Sequence, residues 1–492
     1  MLHSQNFHLV FAFASQVVCG RSRFRWMFGE TMMLDGPAKK LSLEQLEKNF
    51  ADINPPLTPA QALEEGSRCL FCHDAPCIKA CPTEIEVPQF IRQILTGNVR
   101  GSARTILEAN ILGHSCARVC PTSVLCEGAC VLNMQGKKPV EIGKLQRYAV
   151  DPVIANRTQL FKAGPPKGYK VALIGAGPAS LSCAAELRKR GYEAVIFDAN
   201  AQPGGLDLYG IAAYKMRAAD VLREIEMVRA LGVEIKNSMT VGRDISISQL
   251  EQEFDAIFIG IGLGATDDLN IPGENLRGCR DALSFIEETK SRSLAEVPVA
   301  RRIAVIGGGN TAIDVVTAAR RLGAEEVYMV YRRGPEEMSA FGYEYELAKK
   351  DMVTFQWHAL PVQIIDDGSG HVAALECVRT EKGPKDARGR ATFAPVPGTE
   401  FRLEVDMVVK ALGQKRKTEF LQQIARLELK DGCLAVDNST MRTSNPKYFA
   451  GGDCVNGGGE VVDAVAHGKK AAAGIHQMFE VQSGRAHAGS QR

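Results

Sequence analysis

Eight of the 14 cysteines in this chain of 492 residues fall between Cys69 and Cys130. They form two runs, Cys69-x2-Cys72-x4-Cys77-x3-Cys81-Pro82 and Cys116-x3-Cys120-Pro121-x4-Cys126-x3-Cys130. The other six (Cys19, Cys183, Cys279, Cys377, Cys433, Cys454) stand singly. Thiols that only fill a core have no reason to bunch, and a secreted disulfide framework would be short and cysteine-rich throughout. Structural zinc draws its four ligands mostly from close pairs. Each run here offers four sulfurs and a Cys-Pro, the grammar of two-cluster ferredoxins, where the cysteine before proline serves the other cluster. Spacing alone therefore expects two all-cysteine [4Fe–4S] clusters, with zinc or unligated thiols as the alternatives. Between the runs, Phe90, Ile91, Ile94, Ile106 and Leu107 have helical spacing, and Thr58-Pro59 reads as N-cap and first helical residue. The expected unit is a small helical domain, residues 35–167, whose loops hold the sulfurs.

Further along, KVALIGAG ends a buried strand in Gly175-x-Gly177-x-x-Ser180, with Pro178, Ala179 and Ser180 opening a helix. Gly191 ends that helix, and the strand AVIF leads to Asp198, about 20 positions on, where an acidic residue can accept ribose hydroxyls. The glycines let the backbone approach a pyrophosphate, whose charge the helix N-terminus favours. The pattern recurs in RRIAVIGGGNTAIDVV, with Gly307, Gly308, Gly309, Asn310 and Thr311 at the turn. Two dinucleotide folds imply flavin and nicotinamide, although a fold by itself does not establish chemistry. Gly204, Gly205 and Leu206 after Asp198, and Gly452-Asp453 leading through Gly459, Glu460 and Val461 into a helix, assign the first fold to FAD. NAD(P)H is expected on Gly308 to Thr311 and on Ala411, Leu412 and Gly413. Asp314 and Glu344 nearby read as helix-surface carboxylates without a role. Where an NAD-specific site carries an acid, this chain has Arg332 and Arg333, which point to a 2′-phosphate; a solvated charged turn is the alternative.

The expected class is thus α/β: the helical cluster domain, then an FAD domain in two parts (168–285 and 413–480) with the NAD(P) domain (286–412) inserted. Residues 1–34 read as a disordered or miscalled extension and 481–492 as a disordered tail. A net charge of +2 without a long basic run argues against nucleic acid, and no apolar stretch reaches membrane-span length.

The segments CLFCHDAPCIKACPT, CARVCPTSVLCEGAC, IGKLQRYA, LIGAGPAS, FIGIGLG, GGGNTA and AGGD together resemble the N-terminal half of dihydropyrimidine dehydrogenase. More specifically, the chain is similar to the separate electron-input subunits of the bacterial NAD-dependent enzymes from about Leu41 to Phe479, with the glutamate synthase small subunits as a sister lineage. The resemblance implies one [4Fe–4S] cluster on Cys69, Cys72, Cys77 and Cys130. It implies a second on Cys81, Cys120, Cys126 and Gln146, leaving Cys116 a bystander. Glutamate synthase subunits carry Glu where Gln146 stands, which favours the dihydropyrimidine lineage; a neutral ligand also changes cluster charge, a lever on potential. Lys215 and Val241 are placed by the same resemblance at the flavin. Arg332 and Arg333 match 2′-phosphate ligands of NADPH-dependent relatives, but a further arginine of theirs falls at Ser339, and the subunits it most resembles use NADH. The implied cofactors are FAD, two clusters, and NAD(H) in preference to NADP(H). Hydride transfer of this kind needs no protein acid or base. Electrons are expected to pass to a PreA-like subunit bearing FMN and Fe–S clusters, which reduces uracil or thymine reversibly in a cytoplasmic heterotetramer. The chain offers no segment for that barrel, so the partner is expected to be required. The other functions in view are the small subunit of glutamate synthase or a related flavin–iron–sulfur oxidoreductase, and a zinc-bound scaffold without redox function.

Overall fold

The computed structural model describes residue 38, residues 40–385 and residues 391–489; the extension expected over 1–34 lies outside them. Helices α1 (Leu43–Asn49), α2 (Pro59–Ser67), α3 (Pro76–Lys79), α4 (Val87–Leu95), α5 (Val99–Ala109), α6 (Gly113–Val119) and α7 (Ile142–Ala155) come first. Thr58 and Gln61 close a reciprocal capping box at the start of α2, with Pro59 in its first turn. Phe90, Ile91 and Ile94 of α4 and Ala103, Ile106 and Leu107 of α5 are buried on the faces their spacing gives them. Helix α1 departs from the expected domain. Its Leu46, with Phe50, packs into the core of the inserted lobe, and Asn49 Nδ2 donates to Arg321 O at 2.9 Å.

The first dinucleotide lobe carries β1 (Lys170–Ile174), α8 (Pro178–Lys189), β2 (Glu193–Phe197), α9 (Leu206–Tyr209), α10 (Ala218–Arg229), β3 (Glu234–Lys236), α11 (Ile247–Glu253) and β4 (Ala256–Ile259). The inserted lobe runs β5 (Cys279–Asp281), α12 (Ala282–Ser291), β6 (Arg302–Ile306), α13 (Asn310–Leu322), β7 (Glu326–Tyr331), α14 (Gly342–Lys350) and β8 (Thr354–Trp357). It continues through β9 (Ala359–Asp366), β10 (Val372–Lys385), β11 (Ala391–Pro395), β12 (Phe401–Glu404) and β13 (Met407–Lys410). The chain then returns through α15 (Thr418–Leu421), β14 (Leu429–Lys430), β15 (Cys433–Leu434), β16 (Tyr448–Ala450), α16 (Asp453–Asn456) and α17 (Val461–Gly489).

The strand order β16-β4-β1-β2-β3 shows the first lobe to be discontinuous, because its edge strand arrives after the insertion. The second sheet, β5-β13-β6-β7-β8, is also parallel throughout. Its membership moves the expected boundary at 285/286. Residue pairs Val408↔Cys279 to Lys410↔Asp281 put β5 in the inserted lobe, whose two connections pair beside each other at Thr266↔Gln414. Three half-buried residues, Cys-Arg-Asp, carry no apolar run, so the strand leaves no trace in the sequence. Residues 481–489 extend α17 rather than forming a loose tail; Ser483 Oγ donates to Phe479 O at 2.9 Å, and further elongation of an existing helix is cheap. Among the described residues no helix is long and apolar enough to cross a membrane.

Helical domain and first lobe share one apolar core, and a buried carboxylate fastens them. Glu224 of α10, 1% exposed, accepts from the backbone N–H of His114 (2.7 Å) and Ser115 (3.1 Å) and from the Ser115 hydroxyl. Truncating it strands buried donors at the head of α6. Glu224→Ala should cost about 2–4 kcal/mol of stability and Glu224→Gln, which keeps an acceptor, clearly less. Equal denaturation midpoints for the two variants would show that the tie contributes nothing.

Candidate functional site

A cavity of about 1190 Å³ opens where β1, β2 and β4 end, and all three parts of the molecule contribute to its wall. Crevices at the carboxyl ends of parallel strands are where open α/β sheets bind ligands, and this one exceeds the usual size for a single small molecule. Gly175, Gly177, Pro178, Ala179, Asp198, Gly205, Leu206, Lys215 and Val241 line it, as do Gly452, Asp453, Gly459, Glu460 and Val461. Gly204 and Ser180 stand behind this wall: Gly204 N donates to Ala176 O at 2.9 Å, and Ser180 is fully buried. Asp198 holds the turn as well as facing the cavity, its carboxylate accepting from Ala176 N (2.5 Å) and Asn200 N (2.7 Å). At Gly205, φ is +56° and an added Cβ would sit 2.8 Å from Gly177 Cα, so a side chain here would close the loop's approach to a pyrophosphate. A dinucleotide such as FAD fits this donor set: glycine backbone, a helix N-terminus and carboxylates placed for ribose and ribityl hydroxyls.

The nicotinamide residues divide. Asn310 and Thr311, at the start of α13, line the same cavity, and Asn310 Oδ1 accepts from Phe341 N at 3.0 Å. Gly307, Gly308, Gly309, Ala411, Leu412 and Gly413 are not in its wall. Gly307 permits contact with the neighbouring strand, where a Cβ would come within 2.2 Å of Ala411 O. Gly308 lies under the Tyr331 ring, and its carbonyl accepts from Ser339 N and Ala340 N, both at 3.1 Å. Arg332 is exposed, and the Arg333 guanidinium sits 5.9 Å over the Phe393 ring of β11.

Asp314 and Glu344 are not surface carboxylates. They are 5% and 4% exposed, and Lys215 Nζ bridges them at 2.5 and 2.6 Å. Lys215 arrives from the first lobe, which no pattern within α13 or α14 could reveal. Burial pulls its ammonium down, but Asp314 and Glu344 outweigh that and hold its pKa above the ordinary lysine value. Beside them, burial and Asp463 push the Glu460 carboxyl up to about 7, against Lys215. Phe341, Tyr343 and Asp207 also line the cavity and were not singled out from the sequence, because they sit outside the glycine motifs.

The thiols separate into two sets. Cys69, Cys72, Cys77 and Cys130 line one small cavity walled by Val87, Ile91, Leu132 and Val140. Burial, then Cys69 and Cys130, push the Cys77 thiol up to about 12. In the second set Cys120 feels Cys116, Cys126 and Cys81. Cys116 Sγ accepts from Asn110 Nδ2 at 3.1 Å, and buried Gln146 donates its Nε2 to Gly113 O at 2.7 Å. Among the described residues no three His, Cys, Asp or Glu side chains converge on one point for a metal ion. Four thiols around one apolar-walled cavity are the donor set that a [4Fe–4S] cubane takes at its four corners.

Removing Lys215 leaves two buried carboxylates facing each other. Lys215→Met should therefore cost about 3–5 kcal/mol, and adding Asp314→Asn with Glu344→Gln should recover most of it. A triple variant no more stable than the single one in thermal melts would count against the pairing.

Comparison with known proteins agrees with this architecture. Residues 46–158 match the family model described as dihydropyrimidine dehydrogenase domain II, 4Fe-4S cluster, and residues 169–468 that of pyridine nucleotide-disulphide oxidoreductases. The chain is 34% identical to the glutamate synthase [NADPH] small chain of Escherichia coli strain K12 over 471 residues, 93% of this chain and 99% of that one. It is 35% identical to the PreT homolog of the NAD-dependent dihydropyrimidine dehydrogenase of Salmonella typhi over 436 residues, 88% and 98% of the two chains. Mycobacterium tuberculosis FprA in complex with NADPH shares the fold, with a TM-score of 0.53 at 19% identity over 65% of this chain and 86% of that one. The chain belongs to the pyridine nucleotide-disulphide oxidoreductases, in the branch that places a dihydropyrimidine dehydrogenase-type 4Fe-4S domain ahead of the two dinucleotide folds.

Proposed function

We propose that this NAD(P)H-linked flavin–iron–sulfur oxidoreductase is the electron-input subunit of a dihydropyrimidine dehydrogenase, taking its electrons from NADH. One observation carries the electron-relay reading: Cys120 and Thr122 of the cluster domain form part of the same cavity wall as Gly175 to Ala179 and Asp453. A flavin site opening directly onto a cluster ligand is what an electron relay requires. An FAD bound here would supply the exchange between two-electron hydride transfer and the one-electron transfer that clusters accept.

The chain's residues act by placement. Gly175, Gly177 and Gly205 admit the flavin pyrophosphate to the start of α8, and Asp198 and Asp453 hold its hydroxyls. Asn310 and Thr311 bring the nicotinamide dinucleotide to the cavity, while Lys215, Asp314 and Glu344 fix one another in its wall. Cys69, Cys72, Cys77 and Cys130 hold one [4Fe–4S] cluster; Cys81, Cys120, Cys126 and Gln146 hold the other. The resemblance to PreT proteins supports a partner subunit carrying the pyrimidine-reducing site. The similarity to a glutamate synthase small chain over 93% of the chain supports a second reading, the same relay serving that enzyme.

Dihydrouracil should form from uracil and NADH only when the chain is purified with an FMN- and Fe–S-bearing partner. Glutamine-dependent glutamate formation with a glutamate synthase large chain would select the second reading. For the cluster ligands, Gln146→Ala should lose iron and Cys116→Ser should keep it; the opposite outcome in an iron assay would make Cys116 the eighth ligand. Initial rates should be higher with NADH than with NADPH, and a strong NADPH preference would assign Arg332 and Arg333 to a 2′-phosphate.

A further inference from the structure

Asp207, the second residue of α9, lines the dinucleotide cavity at 3% exposure, and its Oδ1 is buried without a hydrogen-bond partner. A buried carboxylate oxygen left bare is costly, and the surroundings offer it little relief. From α10 it meets Glu224, itself engaged with the head of α6, with Asp220 on the same helix. From α16 it meets Asp453. From α12 comes Lys290, whose Nζ donates to the Asp207 backbone carbonyl at 2.6 Å rather than to its carboxyl. Helix α6 contributes the Ser115 hydroxyl, and His114 beside it is committed to Asp151 at 3.0 Å. Two acids and one diverted lysine make an environment for a neutral carboxylic acid, which is a donor as well as an acceptor. Burial, then Glu224, push the Asp207 carboxyl up to about 8, against Lys290, which burial itself lowers to about 8.

We propose that Asp207 keeps its proton and donates it as a hydrogen bond to an acceptor atom of the flavin dinucleotide, making it a cofactor-binding residue outside the glycine and Asp453 motifs. The inference rests on the FAD reading of the cavity. The bond needs the acid form. Flavin affinity is therefore complete below the carboxyl's titration range and is lost as pH rises through about 8 and beyond, since deprotonation sets an anion against the acceptor.

The test is reconstitution of the flavin-stripped full chain with FAD, followed by fluorescence between pH 6 and pH 10, with the visible spectrum and midpoint potential recorded on each complex. Wild-type affinity should fall by about tenfold per pH unit above the titration point, the linkage expected for one proton. Asp207→Asn, an isosteric neutral donor, should bind as tightly as the wild type at pH 6 and show no such fall. Asp207→Leu should bind more weakly at every pH. Lys290→Met should move the fall to higher pH, because it removes the lysine that favours the ionised form. A spectral or potential shift in Asp207→Leu places the acceptor on the flavin ring; affinity loss without one places it on the pyrophosphate or ribityl chain. Both outcomes support the bond. Wild-type affinity that is flat across pH, a fall that persists in Asp207→Asn, or full affinity in Asp207→Leu overturns it. A chain that binds no FAD at any pH overturns the FAD reading and the inference together.

Discussion

A lysine ammonium and two carboxylates withdrawn from water are tolerable only in one another's company. Lys215 comes from the first lobe, and Asp314 and Glu344 from α13 and α14 of the inserted one. Their burial is thus a condition on how the lobes meet, not a property of either. Glu224 imposes the same kind of condition between the first lobe and α6, and Lys290 reaches the Asp207 carbonyl across the same seam as Lys215. Apolar packing is permissive about exact placement, whereas charge buried at a seam accepts few arrangements. The flavin cavity, walled by all three parts, takes its shape from these contacts.

The polar seams also explain where the carboxylates sit. Asp198 and Asp453 face the cavity with backbone donors to satisfy them, Asp453 accepting from Gly459 N at 3.0 Å. Glu460 and Asp207 have less help and are pushed toward the neutral form, to about 7 and about 8. Burial raises the Asp453 carboxyl as well, so the carboxyls of this wall divide by how far their partners offset desolvation. That division follows from burial and partners, because the residue types are the same.

Much of this was legible beforehand. Both strand–glycine–helix units, the capping box at Thr58 and the amphipathic faces of α4 and α5 stand where their local patterns put them, since each is decided by neighbours in sequence. Cys69, Cys72, Cys77 and Cys130 gather around one cavity, although the spacing rule alone left the partner from the second run open. What was not legible is mostly what depends on distant segments. Strand β5 has no pattern of its own and exists because β13 pairs with it. Helix α1 packs on the inserted lobe although it lies within the expected cysteine domain. The surface reading of Asp314 and Glu344 failed because their shared partner, Lys215, is 99 and 129 positions away along the chain.

The sequence by itself determined the chemistry on offer: eight thiols in two runs, two glycine turns built for pyrophosphates, and the order in which they occur. Those features are local, fixed by which residues lie within a few positions of one another. Only the tertiary structure decided what the chemistry faces. Cys120 and the flavin loop come to share one wall, Gly307 and Gly308 are spent on strand and ring contacts, and Asp207 is left with a buried oxygen that no other group of the protein satisfies. The reason is physical: desolvation and charge pairing act through space, and their strength is set by which segments the fold brings together.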